Sequence, residues 1–63
     1  MPIIQAHILE GRSSVQKRAL IRSITEAVVK SLDVPAESVR VIVSEMEKDA
    51  YGIGGRTAKE LGR

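Results

Sequence analysis

Proline stands directly behind the initiator methionine in this chain, and Met1-Pro2 is a start that amino-terminal processing commonly trims. Once trimmed, the first residue carries a prolyl secondary amine. Such an amine takes and returns protons near neutral pH, whereas a proline inside a chain has an inert amide nitrogen and no N–H. Its chemistry would be general acid–base catalysis. Position alone leaves a plainer reading open, in which Pro2 stiffens the first residue of a strand, where proline is tolerated. Two arginines bear on the choice. Arg12 falls just past a stretch of alternating apolar residues and beside a helix start, in a loop from which side chains project into clefts. Arg40 interrupts the run Val39 to Val43, where a guanidinium must reach solvent, a carboxylate or a ligand, because burying an unpaired charge is very costly. Its plainer readings are a surface arginine or an ion pair to a glutamate across an interface. Two arginines that grip planar carboxylates, with a proline amine between them, would define a small site for an acidic substrate.

Other chemistries find less support. His7 is the only histidine and has neither a cysteine neighbour nor a spaced acidic cluster to complete a metal site, so it reads as a packing or hydrogen-bonding residue and no metal is expected. There is no cysteine nucleophile, and Ser13, Ser14, Ser23, Ser31, Ser38 and Ser44 lack a plausible base. Tyr51-Gly52-Ile53-Gly54-Gly55 is rich in glycine but lacks the strand-to-helix context and the Lys-Ser/Thr of a phosphate loop.

The elements that must hold Pro2, Arg12 and Arg40 are legible from periodicity. From Ile3 to Leu9 the residues Ile4, Ala6 and Ile8 alternate with Ile3, Gln5, His7 and Leu9, which predicts a strand with one wholly aliphatic face and a mixed one covered in part by another subunit. Glu10-Gly11-Arg12 breaks the pattern. Ser13 then supplies a helix cap with Gln16 three residues on, and the helix is expected over about 14–32, with Leu20, Ile24, Ala27, Val28 and Leu32 toward a sheet. Asp33-Val34-Pro35 ends it. Val39 to Glu45 is strongly β-branched and predicts a second strand, with Val39, Val41 and Val43 on one face and Arg40, Ile42 and Ser44 on the other. Two strands bridged by one helix make an α/β (α+β) unit of β-α-β type, parallel and right-handed in its crossover, with both sheet edges open to another copy. The remainder, 46–63, reads as a turn or short C-terminal hairpin around Gly52, Gly54 and Gly55, followed by a short helical tail that wraps a neighbour.

Sixty-three residues make a single domain, 1–63, and a chain of that length buries only about 60% of the surface its unfolded form exposes. Disulfides are ruled out by the absence of cysteine and a structural metal by the lone histidine, which leaves self-association as the remedy. A large, obligate homo-oligomeric interface is therefore expected. Ten basic against eight acidic residues give a net charge of +2 with no dense basic stripe, so nucleic acid is not an expected partner. No apolar run approaches the roughly 20 residues that span a membrane, and no charged leader precedes the first strand, so a soluble cytoplasmic protein is expected.

Four pieces of the chain in register carry a resemblance: Pro2; His7-Ile8-Leu9-Glu10-Gly11-Arg12; Ser38-Val39-Arg40-Val41-Ile42; and Tyr51-Gly52-Ile53-Gly54-Gly55. Together they resemble the 4-oxalocrotonate tautomerases, small members of the tautomerase superfamily. The resemblance implies a β-α-β subunit assembled as a hexamer, a trimer of dimers, with Arg40 and Tyr51 reaching each site from neighbouring subunits. It implies Pro2 as the catalytic base, Arg12 gripping a distal carboxylate, and Arg40 polarising the 2-oxo group and its adjacent carboxylate. Leu9, Tyr51 and Ile53 correspond to apolar wall positions, and Ser38 to a further substrate-binding position. The family commonly has phenylalanine where Tyr51 stands, and the tail 56–63 departs from its pattern.

Desolvation by Leu9, Tyr51 and Ile53, together with the positive field of Arg12 and Arg40, should lower the pKa of the Pro2 amine and free it as a base. The substrate class implied is a small dicarboxylate dienol such as 2-hydroxymuconate. No cofactor is expected, because the arginines supply the electrophilic assistance. Two rivals stay open. A superfamily relative that dehalogenates or hydrates unsaturated acids would need a carboxylate to activate water, and Glu10 and Asp49 are the acids nearby. A non-catalytic assembly subunit would follow if Met1 is retained, since the Pro2 nitrogen is then an amide.

Overall fold

The computed structural model describes the whole chain, Met1 to Arg63. Strand β1 (Ile3–Leu9) leads into helix α1 (Ser14–Leu32), a 3₁₀ turn (Ala36–Ser38) and strand β2 (Arg40–Met46). The two strands are parallel, with Ile3 opposite Arg40 and Leu9 opposite Met46. Parallel strands need a long crossover, and α1 is that crossover.

Local chemistry sets the helix ends. The Ser13 hydroxyl accepts the Gln16 N–H at 3.1 Å while Gln16 Oε1 accepts the Ser13 N–H at 3.0 Å, so two orphan donors of the first turn satisfy each other reciprocally. At the far end Asp33 adopts a left-handed conformation, φ 55°, and its N–H donates to the Val29 carbonyl at 3.0 Å. The bounds of α1 are those that the sequence predicts.

β1 alternates as expected, with Ile4, Ala6 and Ile8 half-buried and Ile3, Gln5 and His7 exposed. β2 begins at Arg40, one residue later than predicted, because the Val39 N–H closes the preceding 3₁₀ turn on the Ala36 carbonyl at 3.1 Å. Ser44, expected on the outward face with Arg40 and Ile42, is half-buried. On α1 the stripe Leu20, Ile24 and Val28 is half-buried as predicted. Ala27 and Leu32 are instead exposed, and Thr25 and Val29 are half-buried. The covered face is turned away from Ala27 toward Thr25 and Val29, and Leu32 lies in the last turn of α1.

Beyond β2 a second 3₁₀ turn (Lys48–Ala50) leads to a hairpin of β3 (Gly52–Ile53) and β4 (Arg56–Thr57). Gly54 and Gly55, at φ 60° and 86°, form its two-residue turn, a geometry that asks for positive φ at both positions. The helical tail is a single turn. Thr57 and Glu60 cap its start reciprocally, and Gly62 N–H to Lys59 and Arg63 N–H to Ala58 close its end in the 6→1 and 5→2 pattern of a glycine-terminated helix.

Only Val39 and Ala58 are buried in the single chain, while Ile3 and Ile42 of the uncovered sheet face remain 56% and 45% exposed. The radius of gyration is 14.5 Å, whereas a compact chain of this length would have about 11 Å. No helix is long and apolar enough to cross a membrane.

Candidate active site

Parallel pairing sorts the candidate residues into two groups. Pro2, Ser38 and Arg40 lie where both strands begin. The Arg40 backbone N–H donates to the Pro2 carbonyl at 3.0 Å, which ties the residue bearing the candidate base to the residue bearing a candidate arginine. The Arg40 guanidinium reaches back to the Glu37 carbonyl of the 3₁₀ turn. Arg40 is thus exposed, without a carboxylate partner, and its charge costs no burial. The half-buried Ser38 hydroxyl donates to the Pro35 carbonyl at 2.9 Å, which braces the same turn. In the single chain Ser38 therefore holds the backbone ahead of Arg40.

Leu9, Arg12, Tyr51 and Ile53 belong to the other end. Seven residue steps separate Pro2 from Leu9, about 23 Å at the roughly 3.3 Å rise of a strand. Gly11, at φ 112°, turns the chain into Arg12, which is exposed and makes no hydrogen bond or ion pair within the chain. Tyr51, 39% exposed, follows the second 3₁₀ turn, and its carbonyl accepts the Ala58 N–H at 2.8 Å. Leu9 and Ile53 are half-buried. One chain therefore carries two separate groups of candidate residues and no place where Pro2 and Arg12 could touch one ligand. The grooves of the single chain run elsewhere, along the flank of α1 past Arg22, Thr25, Glu26 and Ala36, and neither includes Pro2, Arg12 or Arg40.

Two acids near the second group have structural partners. Glu10 Oε2 accepts the Lys48 N–H at 3.1 Å, and Asp49 lies 3.9 Å from the Lys59 ammonium. Neither carboxylate stands beside Pro2 or Arg40 in the chain. The glycines of 52–55 serve the hairpin turn, and His7 sits mid-strand opposite Ser44, with no cluster of metal-ligating side chains around it.

The family described as tautomerase enzyme matches residues 2–60, nearly the whole chain. The protein belongs to the tautomerase family. A 2-hydroxymuconate tautomerase of Stutzerimonas stutzeri is 60% identical over 63 residues, with both chains covered completely. A 4-oxalocrotonate tautomerase isozyme of Methylibium petroleiphilum superimposes with a TM-score of 0.94 at 43% identity, covering 97% of this chain and 95% of its own. A heterohexameric 4-oxalocrotonate tautomerase from Chloroflexus aurantiacus does so with a TM-score of 0.91 at 36% identity, covering 97% and 98%. The fold expected from the sequence, a parallel β-α-β unit with a short hairpin, is the fold of these tautomerases.

Sequence reasoning did not reveal the bond from Glu10 to Lys48. Its partners are 38 residues apart, so no local motif announces it, and only the strand register brings them together.

Proposed function

We propose that this member of the tautomerase family is a cofactor-independent isomerase that converts 2-hydroxymuconate to 2-oxo-3-hexenedioate, in the cytoplasm and within aromatic hydrocarbon catabolism. The observation that carries the reading is the full-length 60% identity to a 2-hydroxymuconate tautomerase. In this proposal Met1 is removed and Pro2 is the base. Its nitrogen takes the proton of the 2-hydroxyl, the O–H electron pair forms the C2 carbonyl, the C2–C3 and C4–C5 double bonds become one C3–C4 double bond, and C5 takes a proton from the prolinium. Atoms and charge balance without an oxidant, a reductant or water.

The arginines have distinct tasks. Arg40, reaching the site from a neighbouring subunit, steadies charge developing on the 2-oxo oxygen, as preorganised cations do. Arg12 grips the distal carboxylate, with Leu9, Tyr51 and Ile53 as an apolar wall and Ser38 beside Arg40. Because the whole of β1, about 23 Å from Pro2 to Leu9, separates the Pro2 end of the chain from the end that carries Arg12, a neighbouring copy supplies it. The chain, one domain over 1–63, then assembles as a homohexamer, a trimer of dimers. The half-exposed Ile3 and Ile42 and the expanded radius of gyration support burial by other copies. The uses found for Glu10 and Asp49 weigh against a dehalogenase or hydratase, which would need a free carboxylate at the amine.

Ultraviolet-monitored ketonisation of 2-hydroxymuconate tests the reading, using protein whose intact mass has lost Met1 beside protein that retains it. Fast turnover in the processed form alone is expected. Negligible turnover in both would remove this substrate and turn attention to halogenated acrylates or to a non-catalytic role.

A further inference from the structure

We propose that Glu10 is a positioning residue that locks the Arg12 loop and the hairpin carrying Tyr51 and Ile53 into one preformed carboxylate-binding half-site. The inference rests on the assignment of Arg12, Tyr51 and Ile53 to substrate binding.

Glu10 is bonded on two sides. Its backbone N–H donates to the Met46 carbonyl at 2.9 Å, which extends the parallel ladder one residue beyond the Leu9–Met46 pair. Its carboxylate accepts the Lys48 N–H at 3.1 Å. Lys48 opens the 3₁₀ turn Lys48–Ala50, whose own preceding residue, Glu47, provides no side-chain cap. A carboxylate from the other strand therefore does the work that a capping side chain normally does from within the segment.

Consequences spread from this bond in both directions. Downstream, the capped turn delivers Tyr51, and the tail is clipped back onto it through Lys59 N–H to the Lys48 carbonyl at 3.2 Å and Ala58 N–H to the Tyr51 carbonyl at 2.8 Å. The fully buried Ala58 packs where these strands of chain meet. Upstream, Arg12 is separated from Glu10 only by Gly11 and is followed by Ser13, which is itself fixed in the capping box of α1. The Arg12 backbone is thus held between two anchored neighbours. An acid two residues before an arginine would ordinarily compete for its guanidinium. Here the acid is occupied by Lys48, and Arg12 is left without a partner in the chain, available to an anionic ligand.

The role is separable from catalysis because it acts on binding. Steady-state kinetics on 2-hydroxymuconate with Met1-processed protein would compare Glu10→Ala, Glu10→Gln and Lys48→Pro. Glutamine keeps an acceptor oxygen, so Glu10→Gln should hold KM within about twofold of wild type. Proline at position 48 deletes the donor without touching Glu10, at the first residue of a helical turn, where proline is tolerated. Glu10→Ala and Lys48→Pro should each raise KM about fivefold to tenfold, the net effect of losing one solvent-exposed hydrogen bond, with kcat within about twofold. Combined, they should do no more than either alone, because both remove the same bond. Unchanged KM in Glu10→Ala and Lys48→Pro would overturn the proposal, as would a fall in kcat alone. Arg12→Ala serves as the companion measurement. If it raises KM while the other two do not, the positioning role fails and the substrate-binding assignment stands; if Arg12→Ala leaves KM unchanged, the assignment itself fails and the inference falls with it.

Discussion

At the residue scale, the bond between the Arg40 amide and the Pro2 carbonyl separates what the backbone of position 40 does from what its side chain does. Replacing Arg40 with alanine leaves that amide in place, so Pro2 stays put while the guanidinium is lost. Arg40→Ala is therefore expected to lower kcat by about a hundredfold to a thousandfold, the usual effect of deleting one oxyanion-stabilising group, without releasing the amino terminus. Pro2→Ala leaves a primary amine in the same place and should cost less than full removal of a general base, whose contribution is about 10²–10⁴-fold. The pH profile has a definite sign. The amine works as a base only when neutral, so kcat/KM should rise with pH through its titration and level off above it, and the Met1-retaining protein should lack that limb. Intact-mass analysis with initial rates across pH checks both.

At the scale of elements, the hairpin is the most exposed to single substitutions. Gly54 sits at φ 60°, where no heavy atom would meet an added Cβ, so a side chain there meets backbone strain and no clash. Asparagine tolerates that conformation and valine does not, so Gly54→Asn should be nearly neutral while Gly54→Val costs roughly 1–2 kcal/mol of hairpin stability and raises KM through Tyr51 and Ile53. Ser13→Ala removes half of the capping box and should cost about 1 kcal/mol in denaturant unfolding. These elements were legible in the sequence because their causes are local. The period of two from Ile3 to Leu9, the Ser13–Gln16 spacing and the Pro35 stop each act within a few residues. What eluded the sequence is set by distant packing. Leu32 stays exposed in the last turn of α1, and Glu10 caps a turn 38 residues away. The candidate site divides the same way. The residue types of Pro2, Arg12 and Arg40 point to acid–base and carboxylate-binding chemistry, and the strand predicted between Pro2 and Arg12 already sets those two at opposite ends; that Arg40 falls at the Pro2 end is fixed by the register of the parallel pair.

At the scale of the whole molecule, that separation turns the assembly from a matter of stability into a matter of chemistry. A chain with Val39 and Ala58 as its only buried residues has little core of its own, and a site that needs Pro2 and Arg12 together has no complete copy within one chain. In the proposed hexamer the same neighbours meet both needs, so dilution should lower specific activity in step with the loss of assembly seen by sedimentation. Subunit mixing gives the sharper test. Pro2→Ala and Arg12→Ala proteins, each weakly active alone, are unfolded together in equal amounts and refolded. If each site takes its amine from one chain and its distal arginine from another, random assembly restores both intact groups in about a quarter of the sites, since the two positions are filled independently from a symmetric pool. If both groups came from one chain, every site would keep one defect and mixing would restore nothing. Recovery near a quarter of wild-type activity at low substrate, absent when the two proteins are mixed without unfolding, would identify the subunit boundary as the place where the catalyst is completed.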